Sequence, residues 1–445
     1  MSKFLAVRPI GVAVVVAVGA ALFAGCSSAS KSAVRVGLMY PTSGPQATQG
    51  NEEKHGAQLA ADWVNAHGGV NGHPLQLLTS DVVRPEGVPA AMEALQKAGV
   101  SVVVGTHGSS YSAVAAEEAT RRHMLVWETG AVGVVGTGGW SSAAVPGNPY
   151  SPEAYETDAP VAGGIDFIRM APMGGDLGKS AVDFVRNGLA PVLPHPGPLR
   201  WAVTYVDDPY GRAVSAGAAA EVTATGQPLV GTFAYSASGT DFSALARRIA
   251  ASHPDALYVA AYLDDGTALR QALAAQKVPL VVNLGTSSSY CMPAFGQRLG
   301  VDAVGVFASD KPDAASVRTS ALTAEGRATL AWADSHYRSR YGGDMTSHAL
   351  SGFSNAYALF AHVLPRTAPT LSTDAVAGAA QAVKLPIGTL ANGGGLDIAP
   401  PGALDAGNNR NAAGVIWEWV APGREEVVWP PPFATHPVIW IPIDG

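Results

Sequence analysis

Short apolar runs alternate with longer amphipathic ones from Val34 onward. Val34–Met39, Leu75–Leu78, Val102–Val104 and Met124–Trp127 predict strands, each too short and too evenly apolar for a helix. Between and after them, Asn51–His67, Val88–Ala98 and Ser110–Arg122 carry apolar residues at helical spacing. Short buried strands separated by helices predict a parallel sheet covered on both faces. The pattern breaks at Gly130–Gly164, a long stretch rich in Gly, Pro, Ser and Ala without a period. Loops of that length are uncommon in compact domains and are often functional.

The alternation then restarts. Strands are predicted at Trp201–Val206, Thr232–Tyr235, Ala256–Ala260, Pro279–Asn283 and Val304–Ala308. Helices are predicted at Leu177–Asn187, Gly211–Thr225, Phe242–Ser252 and Gly266–Gln276. Three further helices, Thr323–Tyr341, His348–Leu364 and Thr373–Val383, precede a final strand pair at Gly414–Val420 and Glu426–Trp429. Two strand–helix arrays, then helices, then strands imply two lobes that exchange chain.

Composition narrows the class. The 445 residues are 47% hydrophobic and 14% charged, enough for two cores and incompatible with a disordered chain. The net charge of -7, with no basic stripe, leaves nucleic acid without an electrostatic footprint. Residues 1–25 read as a signal peptide: Lys3 and Arg8 precede a short apolar run, Gly11–Phe23, and Ala24-Gly25-Cys26 follows. That ending resembles a bacterial lipobox, with Phe23 where Leu is usual and Leu22 one place earlier. Cys26 is then the lipidated residue, residues 26–33 a tether, and the protein an extracytoplasmic one anchored to the bacterial membrane. The only other cysteine, Cys291, would be left without a disulfide partner.

Several segments together resemble the leucine/isoleucine/valine-binding protein family. They are VRVGLMYPTSGP (Val34–Pro45), AADWVNAHGGVNGHPL (Ala60–Leu75), VVVGTHGSSYS (Val102–Ser112), FIRMAP (Phe167–Pro172) and VVWPP (Val427–Pro431). The resemblance implies a type I periplasmic-binding fold: an α/β protein of two lobes, each a parallel sheet flanked by helices, joined by three interlobe crossovers. Lobe 1 would be 34–168 with 309–400, and lobe 2 would be 169–308 with 412–445. The crossovers would lie near Arg169, near Ala308 and at Ala399–Asn411. It also implies a substrate-binding lipoprotein of an ABC importer, with permease subunits as partners and a small polar ligand between the lobes.

The candidate site follows from strand ends. Ser109, Ser110 and Tyr111 follow a strand and open a helix, where hydroxyls and free N–H groups suit a carboxylate. Ser109 could equally be a plain helix cap. The resemblance adds backbone at Gly130 and Ala131, the rings of Tyr210 and Tyr262, and Ser287 and Gln49. Val132 stands where relatives have a Thr, and Ser287 where many have an acid for a ligand ammonium. Glu128, Asp264 or Asp265 could supply that acid instead. Gln49 replaces an aromatic, favouring a ligand more polar than leucine. The ligand classes left open are an amino acid, an amide or a small carboxylate. No HExxH, GxSxG or Walker pattern occurs, so no metal or cofactor is expected. His55, His67 and His107 are too scattered to suggest a metal site. A ligand sensor without a transport role, or a hydrolase using a Ser beside His107, are the alternatives.

Overall fold

Branched and small apolar residues fill the strand segments, so they pair into sheets whose two faces must both be covered. The computed structural model describes residues 32–133, 166–194, 197–286, 288–403 and 405–443. The signal peptide, Cys26, most of the tether, Ser287 and the long loop beyond Gly133 lie outside the described residues.

One sheet has five parallel strands in the order β2-β1-β3-β4-β5. These are β1 (Val34–Tyr40), β2 (Leu75–Asp81), β3 (Val102–Gly105), β4 (Leu125–Glu128) and β5 (Phe167–Arg169). The other sheet contains β6 (Trp201–Val206), β7 (Leu229–Tyr235), β8 (Ala256–Ala260), β9 (Val282–Thr286), β10 (Phe307–Asp310), β11 (Val415–Ala421) and β12 (Arg424–Trp429). Its order is β12-β11-β10-β9-β8-β6-β7. β6 to β10 run parallel and β11 runs antiparallel to both its neighbours, β10 and β12, so this sheet is mixed rather than purely parallel. β12 then turns straight back along β11: only Pro422 and Gly423 separate the two strands, and so tight a loop can join only an antiparallel pair.

The covering helices are α1 (Ala47–Ala66), α2 (Val88–Lys97), α3 (Ser109–Arg122), α4 (Gly174–Phe184), α5 (Pro209–Ala224) and α6 (Phe242–Ala251). They continue with α7 (Leu263–Ala275), α8 (Pro293–Leu299), α9 (Ala324–Tyr341), α10 (Ser347–Tyr357) and α11 (Thr373–Ala382). β9 and β10 start later than the apolar runs predict. Pro279 has no N–H for a ladder, and Gly305 makes a turn at φ +81° before β10. α10 stops being α-helical at Ala358, where wider and then tighter turns carry the chain past Pro365.

α1 and α10 touch backbone to backbone over the first sheet. A Cβ on Gly56 would meet the Ala349 carbonyl oxygen at 2.0 Å, and one on Gly352 the Glu53 oxygen at 2.1 Å. That close approach, which only glycine allows, sets Glu53 and His348 beside the strand ends. Trp127, Phe353 and Tyr357 fill the core beneath, and Phe184, Trp201, Phe295 and Trp417 fill that of the second sheet.

The chain passes between the two layers after Arg169, after Asp310, and between Ile398 and Val415. Buried Arg169 laces two of these passages together. Its N–H donates to Gly407 O at 2.9 Å, its carbonyl accepts from Asn409 at 2.9 Å, and Nη1 donates to Asn408 Oδ1 at 3.3 Å.

Candidate functional site

In parallel sheets, ligands collect at the carboxyl ends of the strands, where following helices open and leave N–H groups unused. Here the ends of six strands converge on one pocket. His107, Gly108 and Ser109 follow β3, and Gly130, Ala131 and Val132 follow β4. From the other layer come Tyr210 after β6, Tyr262 after β8, Ser288 after β9 and Lys311 after β10. The space between the walls is narrow and partly open to solvent. A larger hollow of about 1270 Å³ runs along Arg318, Trp429 and His436, but it is shallow, open and away from the strand ends that supply the pocket.

Glu128 organises the first layer's side. Its carboxylate accepts from the backbone N–H of Thr106, His107, Gly130 and Ala131, at 2.6 to 3.1 Å. The hydroxyls of Thr106 and Ser112 lie 3.0 and 2.6 Å from Oε2. Burial by itself would raise the Glu128 carboxyl; the donors of Ala131, Ser112, Gly130 and Thr106 outweigh it and hold it below the ordinary range. Glu53 faces the same loop, with Oε1 2.9 Å from His107 Nδ1 and Oε2 accepting from the Thr129 hydroxyl at 3.0 Å.

Ser109 is 3% exposed and sits at the first position of α3. Gly108, not Ser109, is the N-cap, and Ser109 Oγ accepts instead from Gly133 N at 2.9 Å. Its hydroxyl proton therefore remains available to an acceptor in the pocket. Opposite, the rings of Tyr210 and Tyr262 lie 5.2 Å apart at 39°. The Tyr210 hydroxyl meets that of Thr286, and the Tyr262 hydroxyl donates to Asp208 Oδ2 at 2.7 Å. Burial raises the Asp208 carboxyl and pushes the Tyr262 phenol well up, so the rings present neutral faces.

Of the residues the sequence proposed, Ser109, Gly130, Ala131, Tyr210 and Tyr262 line this pocket together, with Val132 beside them. Gly130 and Ala131 differ in role: their N–H groups already serve Glu128, and the Gly130 carbonyl accepts from Lys311. Tyr111 turns away into a separate core, its hydroxyl donating to Val83 O at 3.0 Å. Ser110 is half-buried on α3 and is not part of the wall. Gln49 reaches Met292 Sδ at 3.6 Å, bridging the layers beside the pocket rather than within it. None of the three carboxylates suggested for an ammonium is free for one. Glu128 is engaged as above, Asp265 accepts from the Tyr235 hydroxyl, and Asp264 pairs with Arg298 on the surface. Lys311 escaped the sequence reading, and His107 entered it only as one of the scattered histidines and as the neighbour of a hydrolase serine. Lys311 directly follows a fully buried strand, β10, whose Ser309 and Asp310 interrupt the apolar pattern.

Comparison with known proteins gives a consistent picture. The model of a family described as "Periplasmic binding protein" matches residues 33–399. The Leu/Ile/Val-binding protein homolog 8 of Brucella suis is 26% identical over 406 residues, covering 90% of this chain and 92% of its own. Among solved structures, a branched-chain amino acid transporter substrate-binding protein of Streptococcus pneumoniae, in complex with isoleucine, superposes with a TM-score of 0.65. It is 17% identical, over 89% of this chain and 100% of its own. An ABC transporter solute-binding protein of R. palustris, in complex with benzoate, superposes with a TM-score of 0.64. It is 16% identical, over 89% of this chain and 95% of its own.

Proposed function

The chain belongs to the periplasmic binding protein family, and we propose that it carries a small polar solute to the permease of an ABC importer. The solute is an amino acid, an amide or a small carboxylate, held between the two layers at the strand ends. The observation that carries this is the convergence of six strand ends on one narrow pocket, with an α3 N-terminus and the Ser109 hydroxyl at its wall. A carboxylate there meets the free first N–H groups of α3, its dipole and one hydroxyl donor. Isoleucine and benzoate, the ligands of the two neighbours, share that group.

A carrier reading fits the polar contacts better than a hydrolase. Among the described residues no hydrogen bond joins Ser109 to His107, so the hydroxyl has no base to activate it. An extracytoplasmic position accords with the family, and the proposed anchor is a lipidated Cys26.

Removing the Ser109 hydroxyl leaves a ligand oxygen one partner short in a closed site. Such a bond to a charged group is worth about 1.5–3 kcal/mol. Ser109→Ala should therefore weaken the tightest solute of an amino acid, amide and carboxylate panel by roughly 10- to 150-fold. Tyr210→Phe should cost less, because the ring stays and its hydroxyl serves Thr286. Calorimetry on both variants is the test. Wild-type affinity in a folded Ser109→Ala protein would contradict the assignment.

A further inference from the structure

The pocket's charge is one-sided. Among the described residues its wall carries no carboxylate and one side chain with a permanent charge, Lys311. That lysine is 2% exposed. Its ammonium donates to Gly130 O at 3.3 Å and stands in no ion pair within 4.0 Å among the described residues. An ammonium has three protons to place, and a buried one without a counter-charge is costly. Asp310, next in the chain, accepts from the Cys291 thiol through Oδ2, and its Oδ1 makes no hydrogen bond.

Every other acid near the site points elsewhere. Glu53 serves His107 and Thr129, Glu128 serves the loop N–H groups, and Asp208 serves Gly211 N and the Tyr262 hydroxyl. The neighbouring imidazole of His348, centred 5.2 Å from that of His107, is held well below its usual range by burial and then by Lys311 and His107. At the wall itself, among the described residues, the one permanent charge is therefore positive. A ligand ammonium would find no anion in the described wall and would be repelled by Lys311.

We infer that the pocket selects carboxylates lacking an ammonium group, with Lys311 as their counter-ion and the Tyr210–Tyr262 pair as the wall for their apolar part. This rests on the solute-binding reading above and narrows it. A carboxylate between Ser109 and Lys311 completes the lysine's unmet donors, and the two ring faces suit an aliphatic or aromatic body.

The test is a matched calorimetric series on the full mature protein. Its members are leucine with 4-methylpentanoate and 4-methylpentanamide, and phenylalanine with 3-phenylpropanoate and 3-phenylpropanamide, with benzoate added. The acid without the amine should bind at least about 10-fold tighter than its amino acid. Lys311→Met should weaken the acid roughly 10- to 150-fold while leaving the matching amide within a few-fold of wild type. The retained amide binding separates loss of a counter-ion from loss of the fold. An amino acid that binds as tightly as its des-amino partner overturns the inference and leaves solute binding standing. Unchanged acid affinity in Lys311→Met overturns the role of Lys311. No binding by any member, nor by a wider panel of sugars, amines and amides, overturns the solute-binding reading together with the inference.

Discussion

Glu128→Ala is expected to destabilise the fold by about 3–5 kcal/mol, the cost of removing one side of a buried, charge-assisted network. The carboxylate is fully buried and is the acceptor for four backbone N–H groups of two loops, 105–107 and 129–131. Alanine strands all of them away from water, and each buried orphan costs about 1–3 kcal/mol before relaxation. Both loops form pocket wall, so solute affinity should fall with stability. Glu128→Gln should lose less, because the amide keeps one acceptor oxygen. The effect has a pH signature. The folded carboxyl lies below the ordinary 4.5, so its contribution is complete above that pH and is lost as pH falls through the folded value. Urea melts of wild type and Glu128→Ala should differ most at pH 7, and the gap should narrow without closing as pH falls below 4.5 through the folded value. A difference under about 1 kcal/mol at pH 7 would contradict the network's role.

Cys26→Ala should move the protein from membranes to the soluble or unprocessed fraction. Two acyl chains on one cysteine hold firmly where a single chain binds only marginally, with an association constant on the order of 10⁴ M⁻¹. The variant loses both chains and the cleavage site together, so the change should be close to complete. Fractionation of expressing cells, with an immunoblot for precursor and mature forms, reads it. An equal membrane share for wild type and variant would contradict lipid anchoring.

The alternation of strands and helices was legible because burial on both faces forces apolar runs, as at Val102–Val104 and Ala256–Ala260. β5 and α8 carried too little pattern: one has three residues and the other seven, fewer than two full repeats of the period that would reveal them. In the site, Ser109 was readable from its place just after a strand, whereas Tyr210 and Tyr262 came only from the family resemblance. Tyr111 has the same kind of place but turns the other way, because helical rotation carries its ring onto the far face of α3. Glu128 looked like a free charge, yet the donors that consume it come from turns, and no periodicity encodes them. Lys311 carried no periodic pattern of its own; only the convergence of β10 and β4 brings its ammonium to Gly130.

The central claim is that a small carboxylate is held between the two layers and draws them together about the three chain passages. Small-angle scattering of the mature protein, free and saturated with its tightest carboxylate, tests that claim directly. Hinge closure around a ligand compacts a two-lobed molecule, so the radius of gyration should fall on saturation, and at a concentration just saturating wild type the fall should shrink in Ser109→Ala in step with its lower occupancy. A radius that stays constant while calorimetry reports full occupancy would contradict it.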